Sequence, residues 1–233
     1  MNIYYDGGPL CSSTLPSPFP EADRSLGNKI GSLETVWPIS SREIKSSFFR
    51  EGSRLDYILD ALTEAGDLAR IVSHPAPTVT CTEKSEVLGF DRSRVIKALY
   101  FVHKDSGELY AVVVPDFGPV DLGSLSPVLG FNAKKKLRLA SEEHLVGGMK
   151  IGTCSPFIPS DCTRVAKIIF DENVVGARRV DRGIDDFSIA LGLDNVSDRQ
   201  LSVQMNYASA FDFLGRRFNG RVVATQIEYD RRR

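Results

Sequence analysis

The spacing of apolar positions changes several times along this chain, and each change marks an element. Leu55, Ile58, Leu59 and Leu62 recur at helical spacing from about Ser53, with Ile71 near the end of the same pattern. His74-Pro75-Ala76-Pro77 then predicts a stop, because proline disfavours helix at the residue before it. A short helix is predicted from about Thr82, with Glu83 and Glu86 in the first turn, where acidic side chains suit the helix dipole. Val95 to Val102 and Leu109 to Val114 are rich in β-branched and aromatic residues, and Lys104-Asp105-Ser106-Gly107 between them predicts a hairpin. Further helices are expected near Leu122 and Ser141, and strands at about Val165 to Phe170 and Phe187 to Leu191. Ser197 is expected to cap a helix through Leu201, Met205, Ala208 and Asp212, ahead of a last strand from Val222 to Tyr229. Short helices mixed irregularly with strands predict a mixed α/β domain over residues 51–233, not a doubly wound sheet.

Residues 1–50 carry no such period. Pro9, Pro16, Pro18, Pro20 and Pro38 withhold backbone donors and fix φ, which predicts an irregular N-terminal arm or strap. Trp37 and Phe48-Phe49 favour the strap, since large rings seek a surface to bury against.

Composition narrows the function classes. Of 233 residues, 42% are hydrophobic and 25% charged, which is ordinary for a globular protein. Lys plus Arg number 29 against 30 acidic residues, so the chain lacks the basic excess of a DNA-coating domain and would hold RNA only through a local patch. Lys134, Lys135, Lys136 and Arg138 form the densest such patch before the C-terminus, to be weighed against a plain solvated face. The longest apolar run, Leu109 to Val114, is far short of the roughly 20 residues of a membrane helix. Met1 to Leu10 lacks the basic and apolar regions of a secretion signal, so a cytoplasmic setting with reduced thiols is expected. The three histidines and four cysteines lack metal-ligand spacing, so neither a metal nor another cofactor is expected.

Two stretches invite chemistry. Lys97 is the one charged residue from Val95 to Val102, and alternation places it with Leu99 and Phe101. It is either an edge-strand lysine whose stem snorkels to water, or an ammonium in a partly dry cleft that steadies a phosphate or oxyanion. Gly152-Thr153-Cys154-Ser155-Pro156-Phe157, after Gly147-Gly148, is a tightly turning loop whose N–H groups could converge on an oxygen, or simply a turn. Cys154 has no histidine beside it to activate it, so a packed thiol is its default. Val95-Ile96-Lys97 and Asp116-Phe117-Gly118 superficially match two protein-kinase signatures. The eighteen residues between them have no room for the catalytic loop, which excludes that reading.

Taken in order, Val95 to Leu99, Val113-Val114-Pro115, Val120-Asp121-Leu122, Leu137 to Glu143, Gly152 to Phe157 and Phe170-Asp171-Glu172 resemble the YbaK/EbsC family. This is the family of prolyl-tRNA-synthetase editing domains and free-standing aminoacyl-tRNA deacylases, and the resemblance runs from about Ile71 to Leu201. It implies an α/β fold with a mixed, barrel-like central sheet flanked by helices. It also implies hydrolysis of the ester on mischarged tRNA, of the prolyl type, in trans. The family's lysine falls on Lys97 and its G-x-x-x-P substrate loop on Gly152, Thr153, Cys154, Ser155 and Pro156. Its aspartates fall on Asp121 and Asp171, and a histidine found in several members falls on His74. The implied partners are the 3′ acceptor end of tRNA and an aminoacyl-tRNA synthetase, without DNA or membrane. Ala98 stands where the family carries a threonine, and Ile158 where it carries a glycine. Those two departures sustain an alternative, a tRNA- or synthetase-binding module of the same fold without hydrolysis. A hydrolase using Cys154 is a third class.

Overall fold

The protein is described by a computed structural model at residues 34–35, 56–75, 80–89, 91–152, 154–178, 191–196 and 199–230. The first helix, α1 (Asp56–Ala65), follows the expected stripe: Ile58, Ala61, Leu62 and Ala65 face inward and are buried. The helical pattern does not extend to Ile71. A 3₁₀ turn at Gly66–Leu68 breaks it, and Ala69–Pro75 forms a strand, β2, instead of a helix end and stop. Of the expected irregular arm, Glu34–Thr35 form β1, paired antiparallel to β2; the remainder of 1–50, including Trp37 and Phe48-Phe49, lies outside the described residues.

Helix α2 (Cys81–Leu88) starts one residue ahead of Thr82. Thr80 is its cap: its hydroxyl accepts from Glu83 N at 3.1 Å, and its N–H donates to the Glu83 carboxylate at 2.9 Å. The expected hairpin is present as β3 (Ile96–His103) and β4 (Leu109–Pro115), in register with Lys97 opposite Val114. The expected helix near Leu122 is a 3₁₀ turn, Leu122–Leu125, running into the single turn α3 (Ser126–Leu129), and near Ser141 there is only the 3₁₀ turn Glu142–His144. Between them lie the short α4 (Ala133–Lys136) and β5 (Leu137–Leu139).

Strand β6 (Val165–Asp171) matches expectation and leads into α5 (Glu172–Arg178). The next strand is β7 (Leu191–Val196), later than Phe187–Leu191, whose earlier residues lie outside the described set. Leu201 and Met205 belong to strand β8 (Arg199–Met205), not to a helix capped by Ser197. The helix follows as α6 (Tyr207–Arg217), capped by the Asn206 side chain, which accepts from Ser209 N at 3.1 Å. Residues 201, 203 and 205 alternate as well as they fit a helix, and pairing with β2 and β7 decides the matter. The last strand is β9 (Val222–Thr225), with Tyr229 making an isolated bridge to Val120.

Among the described residues the strands form two sheets. One is antiparallel, β1-β2-β8-β7; the other is mixed, β5-β3-β4-β6-β9, with β6 parallel to both β4 and β9. The expected mixed α/β architecture with a mixed central sheet flanked by helices holds, but the sheet is open rather than closed into a barrel. Its central strand β4 is buried throughout, which explains its unbroken apolar run. Leu109, Ala111 and Val113 join a core shared with α1, α5, α6 and the other sheet, while Tyr110, Val112 and Val114 join a second core with Leu125, Ala133 and Leu137.

No helix among the described residues is long and apolar enough to cross a membrane.

Candidate functional site

Strand β5 pairs with β3 only at Phe101, Val102 and His103. From Ile96 to Tyr100, β3 therefore has β4 on one side and no strand on the other among the described residues. A cavity of about 230 Å³ lies along this open stretch, walled by Val95 to Tyr100, by Thr80, Cys81 and Lys84 of the α2 end, and by Ile151, Gly152 and Cys154 of the glycine loop. The two stretches singled out in the sequence, Lys97 and the 152–156 loop, thus share one cavity.

Tyr100 holds the two together. Its buried hydroxyl donates to the Ser155 carbonyl at 2.7 Å, tying the loop to the strand. The Ser155 hydroxyl, also buried, accepts from Phe157 N at 3.1 Å, and Pro156, Phe157 and Ile158 are buried behind it. Ile158 packs into the larger core, so the departure from glycine at this position fills the interior. Gly152 takes φ 90°, a conformation that favours glycine at this turn. Gly147 is needed for a different reason: a Cβ there would overlap the Tyr57 hydroxyl, which donates to the Gly147 carbonyl at 3.3 Å. Thr153 lies outside the described residues.

Lys97 lies on the face of β3 shared with Leu99 and Phe101, as alternation requires. It does not snorkel free. Its Nζ donates to Asp116 Oδ1 at 2.6 Å and to the Gly118 carbonyl at 3.4 Å. Arg92 Nε donates to the other oxygen of the same carboxylate. Asp116 is almost enclosed, with 8% of its side chain exposed. Burial alone would raise its carboxyl; the hydrogen bonds and charges of Lys97 and Arg92 outweigh that and hold it below the ordinary carboxylate value. Sequence reasoning missed Asp116 as a partner. The signal was present: it lies two residues past Val114, the register partner of Lys97, and so on the same face of the hairpin.

Lys84 was missed as well. In α2 the residues Cys81, Lys84, Ser85 and Leu88 make one inward stripe, and Lys84 is only 6% exposed. Its burial lowers the ammonium from 10.5 to about 8, with Cys81 acting slightly the other way. Burial raises the Cys81 thiol, Asp116 adds to the rise, and Lys97 and Lys84 oppose it.

The remaining candidates lie elsewhere. Cys154 Sγ contacts the Lys150 carbonyl at 3.5 Å, and burial together with the charge of Glu142 pushes its thiol up to about 11. Such a thiol has almost no thiolate at neutral pH, against the Cys154 hydrolase class. Asp121 does not line the cavity; its carboxylate accepts from Gly123 N at 2.8 Å, meets Lys134 Nζ at 2.9 Å and borders a separate hollow with Glu228 and Tyr229. Asp171, at the end of β6, accepts from Asn173 N at 3.0 Å and from the Tyr229 hydroxyl at 2.7 Å, deep in the fold. The His74 backbone pairs with Gln200 across β2 and β8. In the basic patch Lys134 is paired with Asp121 and Lys136 with Asp105, while Arg138 meets His144 Nε2 at 3.2 Å.

The chain is similar to the crystal structure of a hypothetical protein, APE2540, at 20% identity and a TM-score of 0.54, over 74% of this chain and 100% of that one. It is also similar to a crystal structure described as "a putative trans-editing enzyme for prolyl tRNA synthetase", at 20% identity and a TM-score of 0.47, over 74% of this chain and 96% of that one. No curated protein matches the sequence. Residues 75–180, a little under half the chain, match the family model described as aminoacyl-tRNA editing domain, and that span holds α2, β3, Asp116 and the 152–156 loop. Residues 75–180 are thus similar to the aminoacyl-tRNA editing domain family.

Proposed function

We propose that this protein is a trans-editing aminoacyl-tRNA deacylase, hydrolysing the ester that joins a wrong amino acid to tRNA, with tRNA of the prolyl type as its substrate. The observation that carries the reading is the cavity that Lys97 shares with Gly152 and Cys154. An aminoacyl ester is already reactive, so the protein needs chiefly to position it and to steady the developing oxyanion, with water as nucleophile. An ammonium has three N–H donors. At Lys97 two point to Asp116 and Gly118, and the third is taken by no described residue. Asp116 and Arg92 then act as positioning residues, fixing the lysine in one rotamer at the cavity wall. In this reading the third donor contacts the terminal phosphate or the carbonyl region of the aminoacyl-adenosine, and loop N–H groups orient the acyl group. A neighbouring ribose hydroxyl assists the water, so no protein base is required.

The second reading, binding without hydrolysis, is favoured by the same ion pair, because Asp116 offsets the charge that an oxyanion would use. Single-turnover hydrolysis across a panel of mischarged tRNAs separates the two. The deacylase reading expects at least one substrate to be cleaved, and Lys97→Met to slow that cleavage by about 10²–10³ while the protein still melts cooperatively. Wild-type rates in Lys97→Met would remove the lysine from the chemistry, and a wild type inactive on the whole panel would leave the binding module.

A further inference from the structure

The deacylase reading makes no use of Lys84, yet this residue presents the cavity's least compensated charge. It lines the same cavity as Lys97 but is buried, with 6% of the residue exposed, whereas Lys97 is only partly buried. No carboxylate among the described residues pairs with it. Asp116, whose charge reaches Cys81 in the same wall, is already shared between Lys97 and Arg92. The walls of the cavity are mostly apolar, with Val95, Ile96, Ala98 and Leu145 among them. A buried ammonium without a counter-charge is costly, and a ligand that brings an anion to it removes that cost.

The anion's source follows from access. A phosphodiester is flanked by bulky nucleosides and needs an open approach, which Arg92, with 58% of its side chain exposed, and Lys97 provide. A group enclosed as Lys84 is suits the thin end of an acyl side chain. We propose that Lys84 is the specificity-determining residue of this cavity, binding the side-chain carboxylate of an acidic acyl group, so that the esters removed are aspartyl or glutamyl. The proposal rests on the deacylase reading for its substrate class, but its test does not depend on turnover.

The probes are 3′-aspartylamido-3′-deoxyadenosine and its asparaginyl counterpart, which differ in one charge and resist hydrolysis, titrated calorimetrically into the full chain. The wild type should bind the aspartyl probe about tenfold more tightly, the margin of one charge-assisted hydrogen bond. That preference should vanish in Lys84→Met, which keeps the unbranched stem, and persist in Lys84→Arg, which keeps the charge. Equal wild-type affinity for the two probes, or no binding of either, overturns the proposal without needing any variant to fold. So does a preference that survives in Lys84→Met. Adenosine and adenosine 5′-monophosphate form the control pair: if Lys84→Met weakens the monophosphate alone, the lysine holds phosphate and the proposal falls. A charge preference in a protein that cleaves no mischarged tRNA would sink the deacylase reading and leave the assignment of Lys84 standing.

Discussion

Replacing Lys84 by methionine should stabilise this protein at neutral pH, and the gain should disappear in alkali. Burial in the cavity wall lowers the Lys84 ammonium from 10.5 to about 8. The folded value lies below the unfolded one, so between those two pH values the unfolded chain binds more protons than the folded chain. Stability from this group therefore rises with pH through that window, and below it the full penalty of the buried charge is present. At about 1.4 kcal/mol per pH unit, the gap corresponds to roughly 3 kcal/mol. Methionine preserves most of the stem's packing and removes the charge, so Lys84→Met should exceed the wild type by roughly 2–3 kcal/mol at pH 7. The difference should shrink above pH 8 and approach zero only above pH 10.5, where the lysine is neutral in both states.

Urea unfolding followed by far-ultraviolet circular dichroism, run in parallel on both proteins at several pH values, measures this. Taking the difference between the two cancels the titration of every group that does not feel Lys84. Cys81 is the group that does, and Asp116, Lys97 and Arg92 act on Cys81 in turn; a Cys81→Ser background removes that coupling. Equal stabilities at pH 7, or a difference that stays constant up to pH 10, would refute the reasoning, because either result means that the amine is solvated in the folded protein.

Two further outcomes follow from the ion pairs. Asp116→Asn should lower stability at neutral pH, and the deficit should close as pH falls, because a carboxyl held below its ordinary value stabilises fully above about 3.8 and loses that contribution as it protonates; a deficit unchanged at pH 2 would mean that packing rather than charge is responsible. In the basic patch, Lys134 and Lys136 already face Asp121 and Asp105, whereas no ion pair among the described residues holds Lys135, so Lys135→Ala should reduce the salt dependence of tRNA binding by about one phosphate's worth and the other two should change it less. Identical salt slopes for all three variants and the wild type would show that the patch is a solvated face.

Local patterns were legible in the sequence where one physical signal dominated. The β3–β4 hairpin has two apolar runs and a glycine turn, and it stands where expected, with Gly107 at φ 74° in the turn. The order of motifs from Val95 to Glu172 likewise pointed to the editing-domain family before any fold was visible. Legibility failed where two periods fit the same residues. Ile71 continued the stripe of α1, and Leu201 and Met205 that of α6, yet both segments are strands because they pair with each other. That pairing joins residues about 130 positions apart, and no local rule contains it.

The site was half legible for a related reason. Lys97 and the 152–156 loop are anomalies against their own neighbours, a charge in an apolar strand and a cluster of turn residues, so each could be found alone. What decides their chemistry is neither. Asp116 looked like part of a kinase decoy, and only the hairpin register brings it to Lys97. Lys84 looked like an ordinary helix lysine between Glu83 and Glu86, and only the position of α2 against the open edge of β3 turns its side chain inward. The consequence for function is a division of charge that composition conceals. One lysine of the cavity wall is anchored and largely neutralised by an acid; the other is buried and has none among the described residues. An anchored, offset ammonium suits a positioning role toward a group that every aminoacyl-tRNA shares. A buried, uncompensated one favours only ligands that bring a negative charge to it, and discrimination between acyl groups needs such a site.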